Sequence, residues 1–93
     1  ISGAENVYPA EIERVLQKLP YVKECVVVGV KDERWGEVGK AYVVTSGNTD
    51  EDTLRAHCQA NLAKFKIPKY FVFMDELPKS DSGKIDRKLL KSL

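Results

Sequence analysis

The residues whose types could do chemistry gather near the carboxyl end, in Pro78-Lys79-Ser80-Asp81-Ser82-Gly83-Lys84-Ile85-Asp86-Arg87. Pro, Ser, Asp and Gly make turns. A lysine on such a turn has a compact ammonium, a flexible stem and neighbours that tolerate close approach. That arrangement suits an anionic oxygen, a phosphate above all. The plainer reading makes Lys84 one solvated lysine among many. A P-loop is excluded, because it needs a glycine where this chain has Pro78 and a hydroxyl where it has Ile85. Elsewhere the inventory is thin. One histidine, His57, and two cysteines, Cys25 and Cys58, with no Cys-x-x-Cys pair, assemble neither a zinc set nor a nucleophilic triad. His57 and both cysteines read as structural, the thiols buried and free in a reducing cytosol.

The elements that must position this turn can be read from spacing. Pro9 is placed to open a helix, and Ile12, Val15, Leu16 and Leu19 recur at helical intervals before Pro20 stops it. Glu11, Glu13 and Arg14 are expected to face away from the apolar stripe. Cys25-Val-Val-Val-Gly-Val30 is a short β-branched run that reads as a buried strand, and Ala41-Tyr-Val-Val-Thr45 as a second. Asp32-Glu-Arg-Trp-Gly36 is the loop between them. Thr49 or Asp50 can cap the next helix, whose apolar face is Leu54, Cys58, Leu62 and Phe65 and which Pro68 ends. Tyr70 to Met74 is a third strand. After the Lys84 turn, Arg87 to Leu93 makes a short basic helix, with Leu89, Leu90 and Leu93 able to pack. The expected fold is α+β: a small three-stranded sheet carrying two main helices and a short C-terminal helix.

Ninety-three residues, 43 % hydrophobic and 31 % charged, suit one domain with a modest core. No apolar run approaches the roughly 18 residues of a membrane span, and no signal peptide is expected. Net charge is +1, but from Lys64 onward eight basic residues face four acids. A basic third favours a small polyanion or an acidic surface. Nucleic acid is disfavoured, since no reading motif accompanies the charge.

Two stretches carry a family resemblance. Pro78-Lys-x-x-x-Gly-Lys-x-x-Arg87 resembles the last motif of the adenylate-forming enzymes: acyl-CoA synthetases, luciferases and peptide-synthetase adenylation domains. Ile1-Ser-Gly-Ala-Glu-Asn-Val-Tyr-Pro-Ala-Glu-Ile-Glu13 resembles the segment just after the domain hinge in the acyl-CoA and aryl-CoA ligase branch. Both lie in the right order and at the right separation, and the resemblance covers essentially the whole chain. The resemblance implies that residues 1–93 are the mobile C-terminal domain of such an enzyme. The hinge would lie a few positions before Ile1 and the large N-terminal domain outside the chain. The complete enzyme would use ATP, Mg2+ and CoA in the cytoplasm to turn a carboxylic acid into its thioester through an acyl-adenylate. This domain alone is expected to be inactive.

By the same resemblance, Lys84 is the catalytic cation that bridges the acid carboxylate and the α-phosphoryl oxygens. Gly83 and Arg87 support its loop. Family members rotate this domain between half-reactions, so a second set of residues would close the thiol site. Gly3, Ala4 and Glu5 match the segment that approaches the adenylate and the pantetheine arm. A second glycine is common where this chain has Ala4. Trp35 would lie on the pantetheine side. Phe65-Lys66-Ile67-Pro68-Lys69 resembles the segment that meets the CoA nucleotide, with Phe65 stacking on adenine and Lys66 and Lys69 meeting phosphates. Ile67 stands where a basic residue is common. The N-terminal segment would be the remnant of a hairpin. For Arg87 the plainer reading is a salt bridge or helix-start packing, for Phe65 helix-face core, and for Trp35 surface packing. Two other functions compete: an adenylation domain loading a carrier protein, and a non-catalytic binding module of the same fold.

Overall fold

The computed structural model describes residues 8–93. Helix α1 (Pro9–Gln17) opens on a proline, whose missing N–H belongs to the turn that lacks partners anyway. Strands β1 (Val22–Asp32) and β2 (Gly36–Thr45) form an antiparallel hairpin, in register from Cys25 opposite Val43 to Asp32 opposite Gly36. Gly36 takes φ 82°, in the left-handed region that favours glycine, as the hairpin closes. Helix α2 (Glu51–Asn61) is capped by Asp50, whose carboxylate accepts from the Thr53 amide at 2.8 Å. A 3₁₀ turn (Lys64–Lys66) leads to β3 (Tyr70–Phe73), and α3 (Arg87–Ser92) follows the Lys84 turn.

The sheet order is β1-β2-β3, and β3 runs parallel to β2. A parallel neighbour needs a long crossover, and α2 with its flanking turns supplies it. Both faces of the sheet are covered, which is why β1 reads as an unbroken apolar run. Cys25, Val27, Ala41 and Val43 face Ile12, Leu16, Leu54 and Cys58 of α1 and α2. Val26, Val28, Tyr42 and Val44 face Leu77 and Leu90. The buried Tyr42 hydroxyl donates to the Leu90 carbonyl at 2.8 Å and so ties α3 to the middle strand. His57 is structural in place: its Nε2 donates to the Val15 carbonyl at 2.7 Å and links α2 to α1.

Three expectations are corrected. Helix α2 stops at Asn61, so Leu62 and Phe65 are not on its apolar face. Leu62 still packs on the core from the helix end. Phe65 sits in the 3₁₀ turn and is 46 % exposed, because the chain must bend there to reach the start of β3. In α3 only Leu90 is buried, while Leu89 and Leu93 are exposed, since six residues present one narrow face to the sheet. Glu13 does not face solvent; its side chain is 13 % exposed and lies over the edge of β1. The expected N-terminal hairpin remnant falls outside the described residues.

Candidate functional site

The turn that carries Lys84 is built from its own backbone. Lys79 and Ile85 form an antiparallel bridge. Inside it, the Ser80 amide donates to the Lys84 carbonyl at 2.7 Å and the Gly83 amide to the Ser80 carbonyl at 2.9 Å. Gly83 adopts φ 85°, and a β-carbon there would meet nothing within 4 Å. Glycine is thus chosen for backbone angle, not for space, and the three-residue loop closes on it. Lys84 follows at once and is exposed. Among the described residues its ammonium has neither ion pair nor hydrogen bond. Its neighbour Lys79 instead reaches Glu24 at 3.3 Å.

Arg87 anchors the far end of the turn. Its Nη1 donates to the Val27 carbonyl at 3.1 Å, and its Nη2 lies 3.0 Å from Glu13 Oε2. Asp86 caps α3 by accepting from the Leu89 amide at 3.0 Å, and its own amide donates to the Pro78 carbonyl at 2.8 Å. Both ends of the turn are therefore fixed to the first half of β1.

The residues assigned by resemblance to the thiol side lie elsewhere. Trp35, 48 % exposed, sits in the β1–β2 turn, with the Arg34 guanidinium 5.2 Å from its ring centroid. Asp32 organises that turn. Its Oδ1 accepts from the Arg34 and Trp35 amides at 2.9 and 3.0 Å. Its Oδ2 accepts from Lys69 Nζ at 2.9 Å and the Tyr70 hydroxyl at 3.0 Å. These bonds, Lys69 first, hold its carboxyl well below the usual carboxylate range. Trp35 and Lys69 are thus brought to one corner. Lys66 is drawn away to α1, 2.9 Å from Glu11, with its ammonium 5.7 Å from the Phe65 ring centroid. Both lysines expected to meet phosphate already have a carboxylate partner. Gly3, Ala4 and Glu5 lie outside the described residues. From Glu24 or Val27, beside the lysine turn, to Asp32 is five to eight residues of extended strand, roughly 17–26 Å. The two groups of residues are therefore far apart on one rigid sheet.

Asp32 and Glu13 are the residues that sequence reasoning passed over. An aspartate opening a loop is a signal for side-chain bonds to backbone amides two and three positions on. Its reach to Lys69 and Tyr70 depends on the parallel pairing of β3. A cleft of about 550 Å³, whose lining includes Val30, Lys40, Tyr70, Val72, Lys91 and Leu93, is lined by none of the candidate residues.

Comparison with known proteins agrees with this architecture. Residues 11–84 match the family model described as AMP-binding enzyme C-terminal domain. The 2-succinylbenzoate–CoA ligase of Bacillus pumilus is 52 % identical over 99 % of this chain, which spans 19 % of that protein. A Mycobacterium tuberculosis fatty acyl CoA synthetase superposes with a TM-score of 0.90 at 43 % identity, over 99 % of this chain and 18 % of the other. The o-succinylbenzoate CoA synthetase of Bacillus subtilis, in complex with its acyl-adenylate intermediate, gives 0.88 at 45 % identity, over 98 % and 19 %. The chain thus spans about a fifth of the length of the relatives it matches. A mixed three-stranded sheet with helices on both faces, a glycine-presented lysine beyond it and a family match across most of its length make one conclusion: the chain belongs to the AMP-binding enzyme C-terminal domain family.

Proposed function

We propose that this chain is the mobile C-terminal domain of an ATP-dependent acyl-CoA synthetase, with a large N-terminal domain outside residues 1–93. One observation carries the reading: Lys84 stands exposed at the rim of a turn whose two ends are fixed to the sheet. A carboxylate approaching the α-phosphorus of ATP meets negative charge, and more charge develops as pyrophosphate leaves. A cation already in place relieves both without reorganising. Lys84 can reach into a neighbouring domain, since nothing among the described residues holds its ammonium back. ATP and CoA are the substrates that support from the relatives favours. The acid named for those relatives, 2-succinylbenzoate, is the first candidate here. No cluster of three His, Cys, Asp or Glu side chains that could hold a metal exists among the described residues. Mg2+, implied by the resemblance, is assigned to the ATP phosphates. No helix in the described residues is long and apolar enough to cross a membrane. The cytoplasm fits two buried free thiols.

In the second half-reaction the Trp35 corner would face the large domain. Trp35 and Phe65 offer exposed rings to the pantetheine arm and the adenine. Lys66 and Lys69 take part as cations shared with Glu11 and Asp32 rather than as free charges. Gly3, Ala4 and Glu5 are assigned to the adenylate by resemblance. CoA is preferred to a carrier protein because the relatives are named CoA ligases.

The test uses the full-length enzyme. Lys84→Ala lowers ATP–pyrophosphate exchange by about 100-fold or more, while thioester formation from supplied acyl-adenylate persists. Equal losses in both half-reactions would refute this division. Turnover with free CoA against a pantetheinylated carrier decides the acceptor.

A further inference from the structure

We propose that Glu13 is a positioning residue for adenylation, acting through Arg87 on the turn that carries Lys84. This rests on the reading that Lys84 serves that step. Strand β1 is an edge of the sheet, and an edge leaves backbone groups without partners. At Val27 both groups are taken by side chains. The Val27 amide donates to Glu13 Oε2 at 2.9 Å, and its carbonyl accepts from Arg87 Nη1 at 3.1 Å. The two side chains then meet, with Arg87 Nη2 at 3.0 Å from Oε2 and 3.3 Å from Oε1 of Glu13. A closed ring of bonds joins α1, β1 and the start of α3, across 74 positions of sequence.

Covering the edge explains one bond from each side chain; it does not explain why the two side chains also bind each other. A lysine could neutralise Glu13, but only a planar fork reaches a carbonyl and a carboxylate at once. The guanidinium is held in one orientation, and so is the backbone it grows from. That backbone is the end of the lysine turn: the Arg87 amide donates to the Ile85 carbonyl at 3.1 Å, and Ile85 pairs back to Lys79. The Glu13 carboxylate is the fixed point, since its side chain is 13 % exposed against 52 % for Arg87. The Lys79–Glu24 pair at 3.3 Å is half-exposed on both sides and gives a weaker hold on the other end. The Trp35 corner shares none of these bonds. Loosening the ring therefore displaces the adenylation lysine and leaves the thiol side in place.

The experiment uses the full-length enzyme. Glu13→Gln keeps an acceptor for the Val27 amide but removes the charge that holds Arg87. Arg87→Lys keeps the charge but loses the fork. Each is expected to lower kcat of ATP–pyrophosphate exchange about tenfold, since a displacement of about 1 Å at a reacting group has effects of that order or larger. KM for ATP and thioester formation from supplied acyl-adenylate stay within about twofold, and the double variant is no slower than the slower single one, as expected of residues acting as one unit. Undiminished exchange in both single variants, equal losses in both half-reactions, or losses that multiply in the double variant would overturn the proposal. Lys84→Ala is measured beside them. If it spares exchange, the reading of Lys84 fails; if it abolishes exchange while Glu13→Gln and Arg87→Lys do not touch it, only the role of Glu13 falls.

Discussion

A thiolate at position 25 or 58 would have to sit in the apolar layer between the sheet and its two larger helices. Burial, with Glu13 adding to it, pushes the Cys25 thiol up to about 12, and burial pushes Cys58 up to about 11, from an ordinary 9.0. The unfolded chain releases these protons near the ordinary value. Above it the folded state holds more protons than the unfolded one, so stability falls as pH climbs toward 11 to 12 and this contribution is complete below about 9. The urea midpoint should drop between about pH 9 and pH 11, and less steeply in a Cys25→Ala/Cys58→Ala variant. An equal slope in both would sink the assignment. Gly83 makes a different prediction. Gly83→Ala meets no atom but must hold φ 85°, so it costs about 1 kcal/mol and shifts the peptide that carries Lys84. Adenylation is then expected to fall more than the melting temperature suggests, which exchange kinetics beside calorimetry can read.

At the scale of elements, α3 is the part that decides where the lysine turn points. It has six residues, too few to be stable alone, and it relies on docking. Leu90 supplies the apolar contact and the Tyr42 hydroxyl the polar one. Tyr42→Phe leaves the Leu90 carbonyl with only the Leu93 amide, at 3.3 Å, as donor and should cost about 1 kcal/mol. An unchanged denaturation midpoint would mean that packing alone seats the helix. Helix α2 docks differently. Arg55 reaches the Pro68 and Lys69 carbonyls, each at 3.0 Å, and lies 4.9 Å from the Phe71 ring centroid. It thereby sets the start of β3, and with it Lys69 and Tyr70, the partners of Asp32. The corner beside Trp35 is thus assembled by a helix that contributes no residue to it.

Taken whole, the molecule is one sheet with a core on each face and the proposed site residues displayed at two separated places along it. That geometry suits a domain that turns to present one place and then the other. It also means that the chain has its own reason to fold without a partner: Tyr42, Leu16, Leu54 and Leu90 are all at or below 1 % exposure. We expect the 93-residue chain to unfold cooperatively and to release no pyrophosphate from ATP and acid. Pyrophosphate release by the isolated chain would contradict the assignment of the ATP site to another domain.

The chain order alone determined what depends on neighbours within a few positions. Pro9 at a helix start, Asp50 as a cap, β-branched runs and a glycine before Lys84 each set a local conformation, and local rules suffice to read them. Local rules also misplaced three features. Phe65 keeps helical spacing beyond Asn61, yet the path to β3 takes it off the helix. Leu89 and Leu93 look like core, but one narrow contact has room for Leu90. Glu13 looks solvated by its charge, and is not. The parallel pairing of β3, the edge position of β1, the Glu13–Arg87 ring and the bonds from Lys69 and Tyr70 to Asp32 depend on residues far apart in the chain. Only the folded chain brings them together, because a carboxylate shows in sequence that it needs a partner but never which one the packing of the sheet will deliver.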